Sequence, residues 1–305
     1  MRVWREIIRR FSNGFILAFH EIPPARLAEF VDSLAPAQPV HLDEMVKRIG
    51  RRKSTHGLFA ITVDDGVGDN VRSLAELFVK RQWPATFYLP TLYLDSGQGM
   101  AFQWWRRVVP RLPRRKLELN AGSLDFSHPR AVEDTVKRME RSWHSQPLEL
   151  YFPLIQELVD LATREGVPRA ELQPDAPITW EEACRLSRSD LIRFESHGVT
   201  HTAMSALPDE YLAFEMRHSR DLVSERCGRP CRHIAYPFGS PLSIGARASA
   251  MARRFYDSAV TMSSGAAGEG SNPWLLPRIP LYATNSNLAA WVKTRLRYSR
   301  DGLTN

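Results

Sequence analysis

Short apolar runs rich in β-branched and aromatic residues alternate along the chain with helical patterns, and this alternation restricts the fold more than any other feature. Six runs predict strands, at residues 15–19, 59–63, 85–89, 191–195, 233–236 and 257–261. A weaker seventh run at 274–281 contains two prolines, which favour a short or irregular strand. Strands that alternate with helices predict an α/β protein with a mainly parallel sheet, either open or closed into a barrel.

Several helices have recognisable ends. Asp69 is predicted to cap a helix that continues through Phe78, and residues 179–182 (TWEE) have the form of a capping box. A long helix is predicted between Pro208 and Gly228, because proline is favoured at the start of a helix and glycine just after its end.

The stretch at 96–177 interrupts the alternation of predicted strands and helices. It contains a predicted hairpin at 116–126 and an amphipathic helical pattern at 148–165. A stretch of this length is too long for a structureless loop in a compact domain, so we predict a mainly helical insertion or cap beside the functional site. The predicted organisation is a basic amphipathic segment (1–14), the first part of the main domain (15–95), the insertion (96–177), and the second part with a C-terminal helix (178–305).

Polar residues follow four of the predicted strands. They are His20, the pair Asp64 and Asp65, the pair His197 and His201, and the turn 237–239. Ligands bind at the carboxyl ends of parallel strands, so these residues are expected to meet at one rim of the sheet.

The spacing of His197 and His201 suits one metal ion, because residues four apart on a helical turn point the same way. Two histidines and one aspartate make the open three-ligand set of a catalytic divalent metal. The adjacent carboxylates suggest a division of labour, with one on the metal and the other accepting a proton. Each signal alone is weak, since nine histidines offer several such spacings and Asp-Gly is a common turn.

Three motifs together resemble a known family. TVDDG at 62–66, SHGVTH at 196–201 and AYPFG at 235–239 resemble the first three motifs of the polysaccharide deacetylase family, the NodB-homology domain of carbohydrate esterase family 4. The resemblance runs from about residue 15 to about residue 281, apart from the insertion. It implies a deformed (β/α) barrel with about seven parallel strands, and metal-dependent hydrolysis of an N-acetyl group on a sugar.

The resemblance also implies roles for individual residues. Asp65, His197 and His201 would bind Zn²⁺, although Co²⁺ and Ni²⁺ suit the same ligands. Asp64 would be the general base, and the backbone N–H of Tyr236 would help to hold the oxyanion. The predicted substrate-contacting residues are Pro237, Phe238, Gly239 and Arg278, of which Phe238 is expected to pack rather than react.

Two departures from the family pattern concern the later motifs. The third motif lacks the arginine that many members carry at its head, and residues 275–281 (LLPRIPL) lack the Leu-x-His that supplies the acid for the leaving amine. We therefore hypothesise that His20 is the acid, with Glu195 as a less favoured residue near the site. Arg278 is expected to contact Asp64 or the sugar, because a guanidinium is a poor proton donor.

The charge of the chain restricts its partners. The sequence has 41 Lys+Arg against 34 Asp+Glu, a net charge of +7, but its basic clusters are not interleaved with aromatic residues as in a nucleic-acid module. Residues 1–14 have an apolar face surrounded by arginines, which predicts either peripheral contact with an anionic membrane or an ordinary closing helix. Three cysteines without a disulfide framework, and a start without a signal-peptide pattern, predict a cytoplasmic protein, peripheral at the inner membrane face.

These patterns favour an N-deacetylase that acts on an amino sugar in a surface polysaccharide or glycolipid precursor. One alternative is an amidohydrolase of the same fold that acts on a small non-sugar amide. Another is a catalytically impaired carbohydrate-binding relative, which would explain the missing acid motif. The sequence does not indicate an oligomeric state.

Overall fold

The computed structural model describes residues 13–120, 122–143 and 148–282. The strands are β1 (Phe15–Phe19), β2 (Gln38–Pro39), β3 (Leu58–Val63), β4 (Ala85–Leu89), β5 (Lys116–Leu119), β6 (Gly122–Asp125), β7 (Ile192–Ser196), β8 (His233–Ala235), β9 (Ser258–Val260) and β10 (Ile279–Pro280). The helices are α1 (Pro24–Ser33), α2 (Leu42–Gly50), α3 (Gly68–Arg81), α4 (Thr91–Ser96), α5 (Ala101–Val108), α6 (Pro129–Trp143), α7 (Phe152–Arg164), α8 (Arg169–Leu172), α9 (Trp180–Leu186), α10 (Asp209–Cys227) and α11 (Pro241–Phe255). Short 3-10 turns lie at Val109–Arg111, Leu148–Tyr151, Met204–Ala206 and Pro273–Leu275.

Seven parallel strands form one curled sheet in the order β10-β1-β3-β4-β7-β8-β9, and β2 pairs alongside β3. The last segment of the sheet links its two edges. Leu276 bridges to Val260 of β9, and Ile279 of β10 pairs with Leu17 of β1. The sheet with its surrounding helices is thus the predicted deformed (β/α) barrel.

The strands are buried on both faces. Every residue of β1 and of β4 is buried, as expected of parallel strands covered by helices. The predicted strands at 15–19 and 85–89 have the observed bounds, and the other strands predicted from 59 to 261 differ from the observed bounds by only one residue at either end. The run at 274–281 is a 3-10 turn followed by the two-residue β10, so the expectation of a short strand is confirmed.

The helix ends agree with prediction except at α3. Thr179 and Glu182 form the predicted capping box, since the Thr179 hydroxyl accepts from the Glu182 N–H and the Glu182 carboxylate accepts from the Thr179 N–H. Helix α10 begins directly after Pro208 and ends directly before Gly228, whose φ is +66°. The prediction for Asp69 was wrong: Val67 is the N-cap residue, and Asp69 lies inside the first turn, where it pairs with Arg72.

The segment that follows β4 and precedes α9 in the sequence forms a second hydrophobic core. Strands β5 and β6 form the predicted antiparallel hairpin, and helices α5, α6 and α7 pack around residues such as Trp105 and Leu158. This cluster is separate from the apolar cluster beneath the barrel strands. The division of the chain at residues 96 and 177 stays a prediction.

Two of the predictions concern residues that the structure does not describe. The amphipathic pattern falls almost entirely on residues 1–12, and the predicted C-terminal helix falls on residues 283–305. Within the described ranges, every helix is too short or too polar to cross a bilayer.

Candidate active site

A cavity of about 340 Å³ lies at the carboxyl ends of the barrel strands. Seven of the residues predicted to form a site line it: His20, Asp64, Asp65, His197, His201, Tyr236 and Phe238. They follow β1, β3, β7 and β8, which is why residues far apart in the chain reach one rim.

Asp65, His197 and His201 form a compact group of ligands. The Nε2 atoms of His197 and His201 lie 3.6 and 3.4 Å from Oδ1 of Asp65, and one ligand atom from each residue lies within 4.8 Å of the others. All three side chains are buried. The two imidazole rings are nearly perpendicular, with centroids 4.7 Å apart.

Backbone contacts set the orientation of His197. Its N–H donates to the Leu89 carbonyl at the end of β4 (2.9 Å), and its ring Nδ1 donates to the Ala235 carbonyl at the end of β8 (2.7 Å). Because Nδ1 carries this proton, a neutral His197 presents the lone pair of Nε2 towards Asp65. Neighbouring strands therefore hold the ring in the orientation and tautomer that a metal ligand needs.

The loop between the two histidines is not a helical turn, so that prediction was wrong. Gly198 and His201 both have left-handed backbone conformations, with φ of +77° and +56°. The buried carboxylate of Glu215, on α10, accepts the N–H groups of Val199 (2.6 Å) and Thr200 (3.1 Å). The histidines therefore converge because this carboxylate organises the loop, and not because of helical periodicity.

The trio fits a divalent metal ion. Oδ1 of Asp65 and Nδ1 of His201 are buried without a hydrogen-bond partner among the described residues. Burial alone would raise the pKa of Asp65, but the imidazoles of His197 and His201 hold it well below its usual value. Burial lowers the pKa of His201, which favours its neutral, ligating form. A carboxylate and two imidazoles suit Zn²⁺ and similar metals.

Asp64 forms a buried, bidentate ion pair with Arg278. Both oxygens of the carboxylate accept from the guanidinium, each at 2.7 Å. Arg278 is itself held by the Thr261 carbonyl (2.9 Å) and the Thr62 hydroxyl (3.1 Å). The expected contact between Arg278 and Asp64 is therefore present, and it is formed by the segment that closes the barrel. Desolvation raises the pKa of Asp64, but Arg278 outweighs it and the pKa is lowered, so Asp64 is a carboxylate at neutral pH.

His20 lies beside this pair. Its Nε2 is 4.0 Å from Oδ2 of Asp64, and its ring stacks on that of Tyr282 with centroids 6.5 Å apart. The Asn70 side chain donates to the His20 carbonyl (2.8 Å), which fixes the backbone at the end of β1. Nδ1 of His20 is buried without a described partner. The side chain is one-third exposed and lines the cavity.

The turn after β8 forms another wall. The N–H of Tyr236 donates to the Val260 carbonyl (3.2 Å), so an oxyanion at this N–H would compete for the same hydrogen. Phe238 packs edge-on against His201, with centroids 5.0 Å apart, as expected of a packing residue. At Gly239 a Cβ would lie 2.6 Å from the backbone nitrogen of Met262, so this turn requires glycine.

Glu195 does not join the site. Its buried carboxylate accepts the backbone N–H groups of Arg232 and His233, each at 2.7 Å, and it does not line the cavity. The hypothesis that it approaches the site is wrong, because its side chain stabilises the start of β8 instead.

Six cavity-lining residues were not predicted: Glu21, Phe102, Arg106, Trp143, Met262 and Tyr282. Three of them, Phe102, Arg106 and Trp143, come from α5 and α6. The four-residue spacing of Phe102 and Arg106 would place them on one helix face, but nothing in that pattern shows which face meets the cavity.

Comparisons with known proteins agree with the motifs. A sequence-family profile described as polysaccharide deacetylase matches residues 154–254, which include the second and third motifs but not the first. No curated protein sequence matches the chain.

Solved structures share the fold, and two of them are named as a deacetylase and a de-N-acetylase. A Streptococcus pyogenes deacetylase, PplD, in complex with acetate has a TM-score of 0.59 and 14% identity, over 93% of this chain and 98% of that one. A de-N-acetylase from Aggregatibacter actinomycetemcomitans has a TM-score of 0.57 and 12% identity, over 93% and 100%. IcaB from Ammonifex degensii has a TM-score of 0.55 and 14% identity, over 93% and 98%. The chain is therefore similar to polysaccharide deacetylases, in sequence over residues 154–254 and in fold over most of its length.

Proposed function

We propose that the protein is a metal-dependent hydrolase that removes an N-acetyl group from an amino sugar in a surface polysaccharide or glycolipid precursor. The observation that carries this proposal is the buried Asp65, His197 and His201 trio beside the separate carboxylate of Asp64. The structural neighbours named as a deacetylase with acetate and as a de-N-acetylase support the same reaction class.

Asp65, His197 and His201 would hold the metal, expected to be Zn²⁺. When bound, the ion supplies positive charge that polarises the acetamide carbonyl and the attacking water. The three candidate ligands are buried. His197 and His201 are also held in place, because Glu215 accepts hydrogen bonds from the loop between them.

Asp64 is proposed as the general base. Its ion pair with Arg278 keeps it ionised and fixes both oxygens, so it accepts a proton as the water oxygen bonds to the acetyl carbon. The positioning role belongs to Arg278, which is fully buried and does not line the cavity.

His20 is proposed as the acid that replaces the missing Leu-x-His. It lines the same cavity, next to Asp64, with a ring nitrogen that has no described partner. Protonation of the leaving nitrogen accompanies cleavage of its bond to the acetyl carbon, and the products are acetate and a free amine.

Metal content tests the proposal without a substrate. After incubation with Zn²⁺ and removal of the excess, the parent is expected to retain about one ion per chain, and Asp65→Ala and His197→Ala to retain little. Asp69→Ala and His56→Ala are matched controls, because they remove exposed residues of the same types away from the cavity. The proposed metal site would be wrong if the parent retained no Zn²⁺, or if the two control variants lost as much Zn²⁺ as the two ligand variants.

Turnover then tests the acid. His20→Gln is expected to retain metal but to lose about two to four powers of ten in deacetylation rate, the usual contribution of a general acid. Unchanged turnover of an N-acetylated sugar would exclude His20 as the acid. Turnover of a small amide but of no sugar would favour the amidohydrolase alternative.

The cellular setting is part of the proposal. A carrier-linked precursor at the inner membrane face would suit the basic residues 1–14, whose contact with anionic lipid stays a prediction. If deletion of residues 1–13 abolishes sedimentation of the protein with anionic vesicles, the membrane contact is supported. If sedimentation is unchanged, the membrane contact is wrong.

A further inference from the structure

The two walls of the cavity differ in origin and in chemistry. The barrel strands supply the metal ligands and Asp64, whereas α5 and α6 supply Phe102, Arg106 and Trp143. The second wall plays no part in the proposed hydrolysis. Its side chains are therefore available to bind another part of the substrate.

Arg106 lines the cavity without a direct ion pair to a described carboxylate. No carboxylate of the described residues lies within ion-pair distance of its guanidinium, whereas Arg107 pairs with Asp175 (2.8 Å) and Arg111 with Glu171 (3.8 Å). The guanidinium carbon of Arg106 lies 5.3 Å from the Phe102 ring centroid. That ring in turn lies 5.5 Å from the ring of His201.

Phe102 therefore contacts both the Arg106 guanidinium and His201, one of the candidate metal ligands. Because its ring also lines the cavity, it offers an apolar surface to a sugar bound between them.

Trp143 adds a second donor to the same wall. The side chain is 4% exposed and lines the cavity, and its indole Nε1 is buried without an acceptor among the described residues. Edge-on contacts with Trp105 (6.1 Å) and Tyr151 (6.3 Å) hold the ring in place. Buried donors are normally satisfied, and the position of Trp143 on the cavity wall makes its N–H available to an acceptor on a ligand.

We propose that this enzyme acts on an N-acetylated sugar that also carries an anionic group, a phosphate or a carboxylate, bound by the Arg106 guanidinium and the Trp143 indole N–H. The inference rests on the proposed deacetylase function and specifies its substrate class. A phosphate or carboxylate suits both donors, because it offers several acceptor oxygens and a negative charge.

Glu21 is the other exposed charged group that lines the cavity. Its carboxylate forms no direct ion pair with Arg106. Burial raises the pKa of Glu21 and the nearby charge of Arg106 opposes that rise, so the two groups interact across the cavity and an ionised Glu21 repels an anion. Glu21→Gln is therefore expected to strengthen anion binding while Arg106→Gln weakens it.

Calorimetric titration of the EDTA-treated full chain separates binding from catalysis. The probes are neutral N-acetylglucosamine, N-acetylglucosamine 1-phosphate and N-acetylmuramic acid, so the two charged probes distinguish phosphate from carboxylate. Arg106→Gln is expected to weaken the preferred anionic probe about tenfold or more, and the neutral sugar less than twofold. Trp143→Phe is expected to weaken the same probe about threefold, as for a neutral hydrogen bond.

Arg107→Gln is the matched control, because it removes the same charge from the next position of α5 but not from the cavity wall. Equal binding of charged and neutral probes by the parent, or equal effects of Arg106→Gln and Arg107→Gln, would overturn the inference. Thermal melting of each variant identifies any that does not fold, and Arg106→Lys then retests the charge alone.

The two proposals fail in different ways. If the metal-loaded protein deacetylates none of the probes while the Arg106-dependent preference for an anion persists, the proposed hydrolysis is wrong and the anion site stands. If the protein deacetylates neutral and charged sugars equally and Arg106→Gln changes neither, the function stands and the substrate class is wrong.

Discussion

Replacement of Arg278 by methionine tests the buried ion pair on which the proposed base depends. Arg278 is 0% exposed and Asp64 is 3% exposed, and two 2.7 Å hydrogen bonds join them. The variant keeps the apolar bulk of the side chain but leaves a buried carboxylate without its counter-charge. Removal of one partner from a buried ion pair costs about 3–5 kcal/mol of folding free energy.

The loss should depend on pH in a defined direction. In the parent, the folded-state pKa of Asp64 lies below its unfolded value of about 3.9, so its stabilisation is present above that pH and is lost as the pH falls through the folded pKa. Without Arg278, desolvation dominates and the folded pKa rises above about 3.9. The variant is then destabilised progressively as pH rises, by about 1.4 kcal/mol per unit up to the new pKa.

Urea unfolding of EDTA-treated protein, followed by tryptophan fluorescence near pH 5 and near pH 8, measures this difference. Arg278→Met should lose more stability near pH 8 than near pH 5. The double variant Asp64→Asn/Arg278→Met should lose less than the sum of the single losses, because it buries no unpaired charge. Arg72→Met, which breaks a more exposed pair with Glu182, should cost less than about 1 kcal/mol.

Two results would refute this reasoning. One is a loss for Arg278→Met that is the same at both pH values, which would mean that Asp64 carries no uncompensated charge in the variant. The other is strict additivity of the two single substitutions, which would mean that the pair is not coupled.

Two further predictions concern the metal loop and the thiols. Gly198→Ala places a Cβ 2.9 Å from the Glu215 carboxylate at a φ of +77°, so zinc affinity measured by competition with a chromophoric chelator should fall about tenfold. Gly57→Ala has a similar φ of +74° but open space and a position outside the cavity, so an equal fall in its affinity would contradict the loop argument. Burial raises the pKa of the Cys227 thiol to about 12 and that of Cys231 well above its usual value, so near pH 8 Ellman's reagent should label only Cys184 in the folded protein and all three cysteines in guanidinium. Rapid labelling of a second thiol in the folded protein would show that the barrel opens around it.

The sequence alone determined the parallel strands of the sheet and the rim at which the candidate metal ligands and Asp64 meet. Apolar runs bounded by turn residues identify the strands, since burial on both faces of a parallel sheet leaves a local signature. The positions of Asp64, Asp65, His197 and His201 directly after such runs then predict one rim, because parallel strands end on the same side. Both inferences rest on short-range patterns, which a chain displays without its tertiary context.

The tertiary structure decided how those residues are held. The pairing of Arg278 with Asp64 joins residues 214 positions apart, and it exists because β10 closes the sheet against β1. Similarly, the Glu215 carboxylate folds the histidine loop into a conformation that helical spacing does not predict. The wall with Arg106 depends on which face of α5 meets the barrel. Side-chain direction and sheet closure result from packing across the whole domain, and no local pattern in the chain encodes them.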